Sequence, residues 1–320
     1  MPTPPLQGKR VIELGTMLAA PFATHILSQL GAEVIKIEPL AGDLASNPVA
    51  EAATGVMEGN RINGRPSRLG PSYHDQFAGA YAVIGVLASM LQARNGTPPE
   101  PVGIGLYETG LHVAARDLVG VQLKTQLLGR AEREPHGEFS MPGYGAYLTS
   151  DQRWIYLLML TDGHWLKFCA AMQLPQGAEP AFATLRMRKK AREEVEAMVR
   201  TAIAGHRLDA VMALLKAAGV GCTEVLPLER VLEAEHAHQP GKLRDIQYRG
   251  LRFEAPEFPR MAGLADGVET LPPAELGEHT IEVLAAAGLS ASARAALLAS
   301  GAVRAAEPGS FAWAPVREGS

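Results

Sequence analysis

Residues 10–39 constrain the fold most tightly. Arg10-Val-Ile-Glu-Leu14 is a short apolar run closed by Gly15, and such runs bounded by turn residues read as buried strands. Pro21 follows where the first turn of a helix tolerates proline, and Phe22, His25, Ile26, Gln29 and Leu30 recur at helical spacing. Gly31 supplies a C-terminal cap. Ala32-Glu-Val-Ile-Lys-Ile-Glu38 reads as a second strand, stopped by Pro39. A strand, a helix and a strand form a right-handed parallel unit whose ligand side is the carboxyl end of the strands, here residues 15–20 and Glu38. The expected fold class is α/β.

Beyond this unit the pattern is uneven. Residues 40–74 scatter glycine, proline and asparagine without a sustained period and read mostly as loop. Residues 76–94 predict a strong helix with Phe77, Ala80, Tyr81, Ile84, Leu87, Ala88 and Leu91 on one face, ended by Asn95-Gly-Thr-Pro-Pro99. The run 102–128 suggests a short strand and then a buried helix. Tyr144-Gly-Ala-Tyr147 and Trp154-Ile-Tyr-Leu-Leu-Met159 flank Ser150-Asp-Gln152 as a hairpin. Residues 163–237 read as helical, with a basic, solvated face at 186–192. Strand-like pieces return at 243–258, and an alanine-rich helix spans 277–300.

Composition narrows the function classes. Apolar residues are 47% of the 320 and charged residues 20%, so the chain can bury a core. Thirty Lys and Arg against 34 Asp and Glu leave a net charge of −4, which predicts neither nucleic acid nor an anionic membrane as partner. Cys169 and Cys222 are too few for a disulfide framework or a cysteine zinc site and fit a reducing compartment. The start MPTPPLQGKR has no apolar core of a leader, and no uncharged apolar run of spanning length stands out. A cytoplasmic location is expected.

The candidate chemistry is sparse. The first turn, Gly15-Thr-Met-Leu-Ala-Ala20, has one glycine where a dinucleotide fingerprint needs three, so it does not support NAD binding. A helix start at Ala20 could take a phosphate on free amides, or be an ordinary strand-to-helix turn. His74-Asp75 stands just before the strong helix. Asp75 reads equally as an N-cap or as a carboxylate nucleophile or proton carrier, and amides that cap a helix also keep a carboxylate ionised. His236 and His238 lack a third ligand at a convincing spacing, so no metal site is expected.

Several segments together resemble the class III CoA-transferase family, which includes carnitine CoA-transferases and α-methylacyl-CoA racemases. GKRVIELGTMLAAPFATHILSQLGAEVIKIEPLAGD is similar to the family's opening, including the small-residue turn, the proline, LGAEVIKIE and Gly42-Asp43. DQFAGAYAVIGVLASMLQAR looks like the family's aspartate followed four residues later by glycine and an apolar helix. Weaker echoes are MPGYGAYLTSDQRWIYLLMLTDGHWLKFC, AAGVGCTEVLPLERVL and PPAELGEHTIEVLAAAGLS. The resemblance makes Asp75 the catalytic carboxylate and Thr16, Leu18 and Ala19 the contacts to CoA; His74, adjacent in sequence but not matching the family's histidine, is expected to be an auxiliary catalytic acid or base at most. It implies no permanently bound cofactor, with coenzyme A and acyl-CoA as substrates and a carboxylic acid as acceptor.

Departures accompany the likeness. Only 31 residues lie between Asp43 and Asp75, where the family carries a far longer stretch with most of its remaining parallel sheet and CoA-phosphate residues. Asn95-Gly-Thr-Pro-Pro-Glu100 replaces the family's Gly-Arg-Gly-Gln loop, and the racemases' catalytic histidine has no match. The resemblance thus implies a truncated, Rossmann-like large domain of residues 1–130 plus 241–320 with a smaller α+β domain at 131–240. An intertwined homodimer is expected. A 2-methylacyl-CoA racemase, with His74 as second proton carrier, is one alternative. A non-catalytic chain that depends on a second CoA-transferase-like subunit is another.

Overall fold

A computed structural model describes residues 4–15, 18–37, 47–129, 141–248, 251–256, 274 and 276–306. In chain order the first elements are β1 (Arg10–Glu13), α1 (Ala19–Gln29), β2 (Glu33–Lys36), α2 (Asn47–Ala53), α3 (Val56–Gly59), β3 (Arg61–Ile62) and β4 (Arg65–Pro66). Then come α4 (Tyr73–Arg94), α5 (Leu106–Val113), α6 (Ala115–Leu128), β5 (Gly145–Leu148), β6 (Trp154–Leu158), α7 (Asp162–Ala171), α8 (Leu185–Lys190), α9 (Arg192–Ala204) and α10 (Leu208–Ala217). The last are β7 (Gly221–Glu224), α11 (Leu228–Val231), β8 (Leu243–Tyr248), β9 (Leu251–Pro256), α12 (Thr280–Ala286) and α13 (Ala291–Ala299). This is a mixed α/β fold with small sheets. The chain divides into two compact units, one of residues 1–58, 67–119 and 238–320, the other of 59–66 and 120–237.

In the first unit β1 and β2 pair in parallel, with Arg10 opposite Glu33 and Glu13 opposite Lys36. Both rungs are ion pairs, at 2.9 and 2.8 Å. The exposed Arg10 pair adds little to stability. Glu13 is buried and also accepts the Thr24 hydroxyl of α1, which ties the strand end to the helix. Gly31 ends α1 at φ +95°: its N–H reaches the Ser28 carbonyl and the Ala32 N–H reaches that of Leu27, a double closure requiring a left-handed residue. Ala23, Ile26 and Leu27 of α1 pack with Leu6, Ala32 and Val83 of α4 as the core.

The second unit has the denser core. β5, β6 and β7 form an antiparallel sheet with β6 in the centre, and Ile155 and Leu157 of β6 are fully buried against α7, α9 and α10. Thr161 caps α7 by accepting the His164 N–H. The expected solvated face at 186–192 is corrected at Arg188, which is buried. Its guanidinium lies 5.5 Å from the Trp165 ring centre and donates to the Phe182 carbonyl and to Asp162. Cys169 and Cys222 are both free, and burial pushes the Cys169 thiol up to about 11.

Other expectations also change. Residues 47–66 hold α2, α3 and a two-rung hairpin where loop is expected. Residues 102–105 form no strand, because Gly105 leads directly into α5, and α6 has no buried residue among those described. β7 interrupts the helical stretch 163–237, and two helices replace the single one expected over 277–300. Helix α4, at 22 residues, is long and apolar enough to cross a membrane by length and composition, which corrects the expectation that no such run exists. His74 and Asp75 in its first turn are buried, and the helix packs with α1, α2 and α5 of the same unit.

Candidate active site

The head of α4 carries the candidate site. Ser72 occupies the cap position without a side-chain bond, and the helix starts at Tyr73, whose N–H meets the Pro71 carbonyl at 2.8 Å. Asp75 is therefore the third helical residue, and the N-cap reading is corrected. Its own backbone N–H goes to Asn47 Oδ1 of α2 at 3.3 Å. Asn47 Nδ2 in turn donates to Glu51 Oε1 at 2.5 Å, and Glu51 Oε2 accepts the Leu69 N–H at 3.3 Å. Asn47, Glu51, Thr54, His74 and Asp75 are all buried. Burial pushes the Asp75 carboxyl above the ordinary carboxylate range; the charge of His74 pulls it down and that of Glu51 pushes it up.

His74 has no accessible surface. The Thr54 hydroxyl gives its one proton to the Ala50 carbonyl at 2.7 Å, so towards His74 Nε2, 3.3 Å away, it can only accept. That makes Nε2 the donor towards Thr54. Nδ1 is buried without a hydrogen-bond partner. Gly110 of α5 closes over the ring: an added Cβ there would come within 2.6 Å of both Nε2 and the Thr54 methyl. His74 is thus enclosed, with no edge open to a substrate.

Gly79 brings α1 to the same place. A Cβ at Gly79 would lie 2.6 Å from the Ala19 carbonyl oxygen, so the two helix backbones touch. Asp75 and Gly79 are four residues apart, on one face of α4 and one turn apart. The face of α4 that carries Asp75 is therefore the face on which the head of α1 packs. Leu18 is the exposed residue preceding α1 and Ala19 is its first residue. Gly15 needs its missing side chain, since an added Cβ would collide with that of Ala20. Thr16 lies outside the described residues, as does Asp43. Among the described residues no group of three or more His, Cys, Asp or Glu could hold a metal ion.

The sequence reading misses Asn47, Glu51 and Thr54, and the signal for them is faint. Asn47-Pro48 followed by Ala-Glu-Ala-Ala53 has proline where a helix begins and good helix formers after it. The burial of these residues depends on Leu69, His74 and Asp75, about twenty to thirty positions away, and no local pattern reports that.

Comparison with known proteins gives the family. The family model of CoA-transferase family III matches residues 6–49 and 44–280. The chain belongs to that family. Among its curated relatives is the (R)-2-hydroxy-4-methylpentanoate CoA-transferase of Clostridioides difficile, 23% identical over 88% of this chain and 95% of its own length. The succinyl-CoA–L-malate CoA-transferase beta subunit of Chloroflexus aurantiacus is 24% identical over 88% of this chain and 94% of its own. Two further relatives are matched over only 54% and 58% of their lengths. The crystal structure of Rv3272 from Mycobacterium tuberculosis superposes with a TM-score of 0.72 at 18% identity, covering 88% of this chain and 99% of that one. It shares the fold.

Proposed function

We propose that this chain moves CoA between an acyl-CoA thioester and a carboxylic acid, with Asp75 as the covalent carboxylate. The observation that carries the reading is Asp75 buried in the first turn of α4, on the face against which α1 packs. The Asp75 carboxylate attacks the thioester carbonyl, and CoA thiolate leaves to give a mixed anhydride. The thiolate then attacks the aspartyl carbonyl and expels the donor acid, leaving an aspartyl-CoA thioester. An acceptor carboxylate attacks that thioester, thiolate leaves again, and its attack on the acceptor's carbonyl gives the new acyl-CoA and free Asp75. Splitting the exchange into such steps, each easier than direct transfer, is the advantage of the covalent route.

Partial desolvation favours the first step, because a carboxylate stripped of water attacks more readily. Backbone amides at the heads of α1 and α4 would stabilise the oxyanion, and Thr16, Leu18 and Ala19 would contact CoA. The racemase alternative needs His74 to exchange a proton with substrate, and its enclosure by Thr54 and Gly110 favours transfer instead. Rapid quenching of the protein with an acyl-CoA donor, followed by peptide mapping, should find the adduct on the peptide that contains Asp75. Full transfer activity with no adduct on that peptide would overturn the assignment.

The reading includes a homodimer. Among the described residues the parallel sheet has only two strands, and Ile12, Leu14 and Ile37 at its end are exposed. So small a parallel sheet needs covering on its faces and edge. We expect a stable dimer with an interface above ~2,000 Å². Light scattering at micromolar concentration should give twice 34.0 kDa, and a folded species of 34.0 kDa would exclude the dimer.

A further inference from the structure

Glu51 is a fully buried carboxylate that the transfer steps leave without a task. Both its oxygens are engaged, one with Asn47 Nδ2 and one with the Leu69 N–H. Asn47 uses its other end, Oδ1, to accept the backbone N–H of Asp75. Only one orientation of the Asn47 amide serves both partners. Turned end for end, it would set its oxygen against a carboxylate and its NH2 against an N–H. The charge of Glu51 therefore decides which end of Asn47 faces α4, and through that where the backbone of Asp75 sits. Burying a carboxylate is costly. A scaffold that only needed to join α2 to the 67–70 segment could use a neutral side chain.

From this chain of contacts we infer that Glu51, acting through Asn47, is a positioning residue that holds Asp75 in place and sets a second negative charge beside it. The inference rests on Asp75 being the attacking carboxylate. The groups that face Asp75 are His74 on α4 and Glu51 on α2, and their charges act on it in opposite directions. On α5, Glu108 folds back on Gly105 and His112 is bonded to the Tyr81 hydroxyl at 2.6 Å. The first turn of α1 carries no acidic residue.

Three variants test this: Glu51→Gln, Asn47→Asp, and both together. In Glu51→Gln the new amide cannot accept from both Asn47 and Leu69, so one anchor is lost. In Asn47→Asp two carboxylates meet. The double variant exchanges acid and amide and can rebuild every bond, since the carboxylate accepts from Asp75 and from the new amide, whose oxygen accepts from Leu69. Amide exchange followed by mass spectrometry on the peptide spanning 73–77, in the full-length protein, reads the anchoring without any assay of function. Both single variants should exchange faster there, and the double variant should return to the wild-type rate.

In CoA transfer, Glu51→Gln should lower kcat by ~10- to 10²-fold with KM nearly unchanged, the size expected for a small misplacement of a reacting group. The acid limb of its pH profile should move to lower pH, because a charge that raises the proton affinity of Asp75 is gone. A merely structural Glu51 would weaken the fold and leave that limb in place. Unchanged exchange at 73–77 in both single variants, or an unmoved acid limb, overturns the inference. Absence of transfer by the wild-type protein with every acyl-CoA donor would instead defeat the Asp75 reading, and the exchange data would still decide whether Glu51 anchors the turn.

Discussion

Replacing Asp75 by asparagine is expected to lower CoA transfer by at least ~10³-fold, as loss of a covalent nucleophile does, and to make the protein more stable near neutral pH. The two effects have one cause. Burial holds the Asp75 carboxyl above its ordinary range, so the folded chain binds that proton more readily than the unfolded chain. Stability is then lost as pH rises from the ordinary carboxylate range through the folded-state value. Asparagine has nearly the same shape and no charge to desolvate. The variant should therefore melt higher than wild type at neutral pH, and the difference should close on acidification, once Asp75 is protonated in both states. Rates with an acyl-CoA donor and melting curves at acid and neutral pH check both halves. Transfer within tenfold of wild type would remove Asp75 as the nucleophile.

Gly79→Val should be nearly as damaging, by a different route. An added Cβ falls 2.6 Å from the Ala19 carbonyl oxygen, 3.0 Å from Phe22 Cδ1 and 3.2 Å from the Ala23 nitrogen. Two of these three are backbone atoms and cannot rotate aside. Valine is a better helix former than glycine by a few tenths of a kcal/mol, whereas overpacking a tight contact costs about 1–3 kcal/mol. The steric term wins, and α1 must move away from α4. Because that contact lies one turn from Asp75, transfer should also fall by ~10²-fold. Urea unfolding should show a lower midpoint at unchanged slope. A variant of wild-type midpoint and rate would mean that the two helices do not meet at Gly79.

Some of this is legible in the sequence. β1, α1 and β2 are readable as elements because several local signals agree: apolar runs in the strands, proline in the first turn, and Gly31 at the helix end, where its left-handed backbone is required; the expected burial of the strands is corrected, since Ile12, Leu14 and Ile37 are exposed. Agreement of that kind makes a segment fold as its composition suggests. The glycine four residues after Asp75 is visible as part of a family likeness, but its physical role as the contact with Ala19 emerges only in three dimensions.

Elsewhere the reasons lie beyond local pattern. α2 and α3 have seven and four residues, too few turns for a helical period to show. Asn47 and Glu51 look like ordinary surface residues until Asp75 and Leu69 are folded onto them. Arg188 sits in a basic run that reads as solvated, and the ring of Trp165, the carbonyl of Phe182 and the carboxylate of Asp162 make its burial tolerable. The start of α4 at Tyr73 is set by its backbone bond to Pro71, which shifts Asp75 from cap to helix.

The unequal cores of the two units have a consequence for how the protein responds to its substrate. Among the described residues, sixteen buried residues form the cluster of the second unit and six that of the unit holding Asp75. Native proteins open piecemeal, and the element with fewer buried apolar contacts opens at the lower free energy. A ligand that binds only the closed form adds about 2.7 kcal/mol when present at a hundred times its dissociation constant. For the sparsely packed unit that sum rivals what one or two buried aliphatic side chains supply, about 1.5–3 kcal/mol each. Acyl-CoA would then act as a removable part of the hydrophobic interior, and a protease should cut the ligand-free protein first in the unit that holds Asp75.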